Sequence, residues 1–472
     1  MRHISQAYVD GTFVPTLGTE VIDIINPATE QVIGTARLGN REDMKRAIDA
    51  AKRAQPGFGR TTKPERIALL KRLQASVLAR TDDIQEVTIE EYGGPVARSK
   101  WVSQYASQCF GFAAQALDSY ELTRKVGEAT VVMEPVGVAG LITPWNSTAG
   151  SICSKLASAI AAGCTSVIKP SELSPIQTHV VTEALHDAGL PKGVFNVVTG
   201  RGNDVGAEIT SNPAIAKISF TGSTPTGKAI MRAGIETMKR VSLALTGKSA
   251  SVILDDADLT RAVPAALSAG FQNSGQACIA GTRVLVPSRL LAEVIDRVKA
   301  TVATLRVGDP RDPSTAIGPM VNQHQYERVQ YFIGRGREEG ATLVIGGEGR
   351  PEGLKKGYFV RPTVFAGVRN DMEIAREEIF GPVLSVITYE GEDEAVKIAN
   401  DSIYGLQAYV FSSNPERARQ VASRLDAGTV SINGVKVEPL APFGGFKQSG
   451  IGREFGAFGL EAFLEPKTVV SA

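Results

Sequence analysis

Four cysteines, Cys109, Cys153, Cys164 and Cys278, are the strongest nucleophiles available, and their surroundings differ. Cys278 ends the run Asn273-Ser274-Gly275-Gln276-Ala277-Cys278, between a helical pattern and a strand. A glycine-bearing loop lets backbone N–H groups approach a reacting oxygen there. Cys153 and Cys164 flank a small-residue helix and, like Cys109, read as packing residues, because a buried cysteine is more often a small hydrophobe than a reagent. The turn Phe220-Thr221-Gly222-Ser223-Thr224-Pro225-Thr226-Gly227 joins a strand to a helix, where a phosphate can sit against the helix N-terminus. Its spacing is not GxGxxG, and a plain tight turn fits it equally. Lys169 and Glu172 follow an earlier strand; they suit a ribose or phosphate, and equally an ordinary helix cap. His3, His179, His186 and His324 form no metal-ligand spacing, so no metal site is expected.

The elements that must position these groups are legible in outline. Ala7 to Val14 reads as a hairpin around Asp10-Gly11. Helical patterns follow Asn40 and Pro64, and Thr81-Asp82-Asp83 reads as the cap of a further helix ending near Gly93-Gly94-Pro95. From Val136 the rhythm becomes strand–helix–strand: strands at 136–142, 165–168, 194–198, 218–220 and 241–245 alternate with helices. Such alternation predicts a parallel, doubly wound sheet, which binds ligands at the carboxyl ends of its strands. A second α/β series begins at Ser251 and includes strands at 283–286, 406–411 and 429–432.

Composition bounds the reading. The chain has 472 residues, room for two to four domains. Lys plus Arg number 51 and Asp plus Glu 50, a net charge of +1, which argues against a polybasic nucleic-acid surface. No run approaches the ~18 apolar residues of a membrane helix. The first residues carry no apolar signal core, and four scattered cysteines suit reduced thiols, so a cytoplasmic protein is expected, with no nucleic acid and no membrane among its partners.

Taken together, the motifs stop being independent. Pro144-Trp145-Asn146, Lys169-Pro170-Ser171-Glu172, the turn at 220–227, Gly275-Gln276-Ala277-Cys278, Glu377-Glu378-Ile379-Phe380-Gly381-Pro382 and Pro442-Phe443-Gly444-Gly445-Phe446-Lys447 stand in the order found in the NAD(P)-dependent aldehyde dehydrogenase superfamily. The chain resembles that family from Asn26-Pro27-Ala28-Thr29 to Lys467-Thr468-Val469.

The resemblance implies an α/β fold with a Rossmann-type cofactor domain (1–116 and 136–246), an α/β catalytic domain (247–447) and a small bridging, oligomerising element (117–135 and 460–472). That element implies a dimer or a dimer of dimers. By the same likeness Cys278 is the nucleophile that adds to an aldehyde, giving a thiohemiacetal and then a thioester. The Asn146 amide and the Cys278 backbone N–H are the implied oxyanion donors. Cofactor contacts are implied at Ile142, Trp145, Lys169, Glu172, Gly202, Gly206, Gly222, Ser223, Glu378 and Phe380. A carboxylate at Glu172 favours NAD over NADP, without excluding the latter.

One position departs from the family pattern. Glu-Leu-Gly-Gly-Lys is replaced by Ala244-Leu245-Thr246-Gly247-Lys248, so the residue 34 places before Cys278, expected to activate water for thioester hydrolysis, is Ala244. Three explanations compete: a substitution introduced to trap an intermediate, a natural enzyme using another base, or a different acyl acceptor such as coenzyme A. Lys155 and Glu454 stand where the family keeps a secondary proton relay. A non-catalytic dinucleotide-binding relative is the rival from another class. On the substrate side Ser147, Ser151 and Ser154 replace bulky aromatics, with Val437 and Phe443 opposite and Lys436 and Glu438 near the mouth. This arrangement favours an aromatic or polar-substituted aldehyde over a long alkanal.

Overall fold

The computed structural model describes residues 1–470. Ser471 and Ala472, the end of the expected bridging element, lie outside the described residues. Asp10 and Gly11 hold left-handed backbone (φ 54° and 84°), which turns Gln6–Val9 back onto Thr12–Pro15 as expected. Asn40 caps the helix Arg41–Phe58 in a reciprocal box with Asp43, and Thr62 does the same for Lys63–Ala79 with Glu65. The expected cap at Thr81 is displaced. Arg80 is the cap residue of Thr81–Val87, makes no side-chain cap bond, and the chain continues into a wide turn over Thr88–Tyr92.

The largest sheet has eight strands, in the order Gly450–Ile451, Arg240–Ala244, Ile215–Thr221, Val138–Ile142, Ser166–Lys169, Phe195–Val197, Gln6–Val9 and Thr12–Pro15. The five from Arg240–Ala244 to Phe195–Val197 are parallel. Val138–Ile142 and Ser166–Lys169 are buried at every residue, the mark of strands covered on both faces. The covers are Arg41–Phe58 on one side and the buried helix Thr148–Ala162 on the other. The strand order reverses between Val138–Ile142 and Ile215–Thr221, and at such a switch point the loops part and leave a crevice.

A second sheet of seven strands runs Thr342–Ile345, Thr363–Ala366, Val383–Tyr389, Arg283–Pro287, Ala250–Ile253, Gln407–Phe411 and Thr429–Ile432, parallel except at its first strand. Leu464–Val470, Ala129–Pro135 and Thr123–Val126 form a separate antiparallel sheet whose outer strand Thr123–Val126 is exposed throughout. The helix Val96–Ser119 leads into it, and Gly450–Ile451 returns the chain to the first sheet. No helix among the described residues is long and apolar enough to cross a membrane.

Candidate active site

Cys278 is set by a loop that few sequences could hold. Asn273, Ser274 and Gly275 take left-handed backbone in succession (φ 52°, 58° and 75°), a conformation unfavourable for the first two. Side chains impose it. Asn273 Nδ2 donates to the carbonyls of Asn146 (3.1 Å) and Gln276 (3.0 Å), and Ser274 Oγ accepts from the Gly318 N–H at 2.9 Å. Gln276 Oε1 accepts from the Val321 N–H (2.9 Å), while its amide donates to the Tyr92 hydroxyl. A side chain at Gly275 would meet the Gly381 carbonyl at 2.2 Å, and one at Gly247 the Cys278 carbonyl at 2.1 Å; both must be glycine.

Cys278 is the one half-buried cysteine among the four; the others are fully buried. It lies in a cavity of about 610 Å³ between the two large sheets. Burial, and then the carboxylates of Glu378 and Glu454, push its thiol up to about 12, opposed by the N–H groups of Cys278 and Ile279 that face the sulfur. Asn146 lines the same cavity. One N–H of its amide is spent on the Gln276 carbonyl at 2.9 Å, which leaves the other for an oxygen beside the sulfur. Sequence expectation and structure meet in this cavity: Ser147, Ser151, Ser154, Lys155, Lys436, Val437, Phe443 and Glu454 all line it, and Glu438 does not. Lys155 Nζ donates to Glu454 Oε1 and to the Ser219 hydroxyl. Ala244 is buried at the end of its strand, opposite Thr221, and its carbonyl accepts from the Gly222 N–H at 3.1 Å.

The other expected residues gather at the strand ends beside the switch point. Ile142 closes its strand between Lys169 and Phe220. Ser223 caps the helix Thr224–Gly234, and a side chain at Gly222 would strike the Phe220 ring at 2.4 Å. Lys169 Nζ donates to the Pro170 carbonyl (3.0 Å) and approaches Glu172 (3.5 Å). Gly206 lies against the Lys169 stem, and Gly202 opens into space. Trp145 packs edge-on to Phe380, whose own backbone is left-handed (φ 60°) and whose carbonyl accepts from Gln325. Glu378 accepts from the Gly247 N–H at 3.1 Å, and burial pushes its carboxyl up to about 7. A carboxylate and an amine after one parallel strand and a helix N-terminus after another, with an aromatic pair on the loops facing them, make a donor set that fits a dinucleotide.

Sequence reading missed two parts of the site. Arg201 pairs with both Glu20 and Glu172, a contact no spacing announces. Arg98, Trp101, Tyr105 and Phe112 line the cavity from the helix Val96–Ser119. Their spacing of three, four and seven marks one helical face, but such a stripe reads equally as core. Among the described residues no cluster of His, Cys, Asp and Glu could hold a metal.

A doubly wound sheet whose switch-point crevice lies beside a half-buried cysteine defines a class: cysteine-centred enzymes built on a dinucleotide-type fold. The chain belongs to the aldehyde dehydrogenase family, whose model matches residues 13–469. A Staphylococcus aureus (strain bovine RF122 / ET3-1) protein named for the same family is 46% identical over 470 residues, 99% of each chain. A crystal structure of an aldehyde dehydrogenase C variant from Pseudomonas syringae, complexed with NAD+ and octanal, superposes with a TM-score of 0.97 at 43% identity, covering 99% of this chain and 96% of that one. Betaine aldehyde dehydrogenase from Staphylococcus aureus, in complex with NAD+, gives 0.95 at 35% identity, with 98% and 94% covered.

Proposed function

We propose that this chain oxidises an aldehyde to a carboxylic acid with NAD, through a covalent intermediate on Cys278. The observation that carries the reading is that the half-buried Cys278 and Asn146, whose amide keeps one N–H free, line the same cavity. Cys278 passes its proton to solvent water and its sulfur bonds to the aldehyde carbon, so that the carbonyl electron pair moves onto oxygen. The spare Asn146 N–H and the Cys278 N–H hold that oxyanion. NAD, when bound, supplies the acceptor for the hydride leaving that carbon, and a thioester remains on Cys278. Lys169, Glu172 and Ser223 would hold the adenosine end, with Gly202, Gly206 and Gly222 giving close approach; Glu378, Trp145 and Phe380 would hold the nicotinamide end. Glu172 favours NAD over NADP, whose 2′-phosphate it repels.

Hydrolysis of the thioester needs a base, and the Ala244 methyl cannot accept a proton. Glu454, held by Lys155, is the carboxylate in the cavity, and it serves slowly. The cofactor domain is read as 1–116 and 136–246, the catalytic domain as 247–447, and the bridging element as 117–135 and 460–472. The exposed strand Thr123–Val126 gives the last a motive for pairing with a second copy, as a dimer or tetramer. Free, buried thiols fit a cytoplasmic enzyme.

Rapid mixing tests the reading. One NADH per subunit should form quickly, followed by a slow steady rate. Ala244→Glu should raise that steady rate by about 10²-fold or more, the scale of a positioned general base. An unchanged rate would remove the vacated-base account. Abolition of the slow phase by coenzyme A would make the chain an acylating enzyme, and absence of any burst a non-catalytic binder.

A further inference from the structure

The guanidinium of the half-buried Arg98 differs from those of the buried Arg66 and Arg283. Arg66 and Arg283 spend every nitrogen on the protein: Arg66 on Thr61 and the carbonyls of Ala162 and Gly59, Arg283 on Asn370 and the carbonyls of Lys248, Ile398 and Ala399. Arg98 lines the catalytic cavity and, among the described residues, makes one hydrogen bond, from Nε to Asn273 Oδ1 at 3.2 Å. Both Nη groups are left without a protein acceptor, and no carboxylate pairs with them. Burial lowers this guanidinium from its ordinary range, opposed by Tyr92 and Tyr105.

Its plane is fixed. Trp101 lies 4.6 Å from the guanidinium carbon and stacks in turn on Tyr105, with ring centroids 4.9 Å apart at 8°. Phe443 and Phe455, stacked on each other at 5.6 Å, line the cavity as a second aromatic pair. Lys155 is neutralised by Glu454, and Lys436 at the exposed lip has no acidic partner among the described residues. Glu438 on the same loop bonds to the Leu440 N–H and does not line the cavity. The cavity therefore carries three cations against one carboxylate, and five of its lining residues are aromatic: Trp101, Tyr105, Phe112, Phe443 and Phe455.

We propose that the aldehyde taken by this cavity is an aromatic one bearing a carboxylate, its ring against the aromatic walls and its carboxylate on the two free Nη groups of Arg98. A guanidinium anchored through Nε presents the Nη edge as a fork, the geometry that accepts a carboxylate through parallel N–H···O bonds. The inference rests on the aldehyde-oxidising reading above and names its substrate class. The competing role for Arg98 is a brace. Through Asn273 it bears on Asn146 and Gln276, and a mere brace would act on all aldehydes alike.

The test compares 4-carboxybenzaldehyde with 4-methylbenzaldehyde by the second-order rate of the NADH burst. The unaltered chain should favour the carboxylated aldehyde by about 10-fold or more, the scale of hydrogen bonds to a charged group. Arg98→Met should bring that ratio close to one, Arg98→Lys should retain part of it, and Arg98→Gln, which keeps a donor for Asn273, should lose it as Met does. A ratio of one in the unaltered chain, or a ratio that Arg98→Met leaves unmoved, overturns the proposal. Calorimetric binding of benzene-1,4-dicarboxylate to the cofactor-free protein gives an independent readout. It should weaken about 10-fold in Arg98→Met, and equal affinity counts against Arg98 as the anchor. Absence of a burst with both aldehydes defeats the oxidising reading itself, while the calorimetry still decides whether Arg98 holds the anion.

Discussion

Lys155 Nζ lies 2.5 Å from Glu454 Oε1 and 3.0 Å from the Ser219 hydroxyl, so a buried ammonium bridges the central sheet to the C-terminal segment beside Cys278. The two side chains are unequally exposed, 2% for Lys155 and 16% for Glu454, so the ammonium faces the protein while the carboxylate keeps an edge toward the cavity. A charge in that setting needs its partner, because removing one ion leaves the other desolvated and alone.

On the proposed reading, in which the Ala244 methyl cannot act as a base, the exposed carboxylate edge of Glu454 is the group assigned to thioester hydrolysis. Glu454→Gln is expected to lower the slow phase of NADH production by about 10-fold or more relative to the burst. Stopped-flow traces give both amplitudes in one experiment. A slow phase equal to that of the unaltered chain would assign the residual base elsewhere.

The Cys278 thiol, pushed up to about 12 by burial and by Glu378 and Glu454, is protonated at neutral pH in the ligand-free protein. Alkylation requires the thiolate, so the rate with iodoacetamide should climb roughly tenfold per pH unit from 7 to 10. Peptide mapping should locate the label at Cys278 ahead of the buried Cys109, Cys153 and Cys164. Glu378→Gln, by removing one nearby carboxylate, should speed labelling at a fixed pH. A plateau below pH 9 would mean that the thiolate is already formed.

Glu172 stands between two cations, 3.5 Å from both Lys169 Nζ and Arg201 Nη1. On the proposed reading its carboxylate accepts from ribose hydroxyls and repels a 2′-phosphate. Glu172→Ser removes the repulsion and frees both cations, and should shift the NADP-to-NAD ratio of dissociation constants by about tenfold or more toward NADP, the scale of one charge-assisted bond. Equilibrium titration of reduced-cofactor fluorescence measures it. An unmoved ratio would place cofactor choice outside residue 172.

The parallel strands were legible because buried strands read as continuous apolar runs between glycine and proline, as at 136–142 and 165–168. The family resemblance pointed to Cys278, Asn146, Lys155 and Glu454 one by one, and the structure sets all four on the lining of a single cavity. Arg98 stayed hidden because a stripe on a helix does not say whether it faces core or cavity. The turn before Cys278 stayed hidden because two of its three left-handed residues are not glycine, and only long-range bonds to Asn146 and Gly318 stabilise them. The wide turn at Thr88–Tyr92 was equally unannounced; it brings the buried Glu91 within reach of a neighbouring helix, an interaction between residues 85 places apart.

Glu91 Oε1 accepts from the Ile176 N–H at 2.7 Å, and Oε2 accepts from the Gln177 N–H at 2.9 Å and the Gln177 amide at 3.1 Å, so it caps the helix Pro175–Asp187 from outside. Burial pushes its carboxyl up to about 7 from the ordinary 4.5, outweighing the three donors that pull it down. A folded value above the unfolded one means that the native state holds the proton more tightly. The resulting stabilisation is full below pH 4.5 and fades as pH rises through about 7. Glu91→Gln abolishes this titration and loses one acceptor. The variant should therefore melt below the unaltered chain at pH 5, with the gap narrowing by about 1–3 kcal/mol by pH 8. Thermal midpoints across that range measure the gap. A gap that stays constant with pH would mean that Glu91 is ionised throughout, its three donors prevailing over burial.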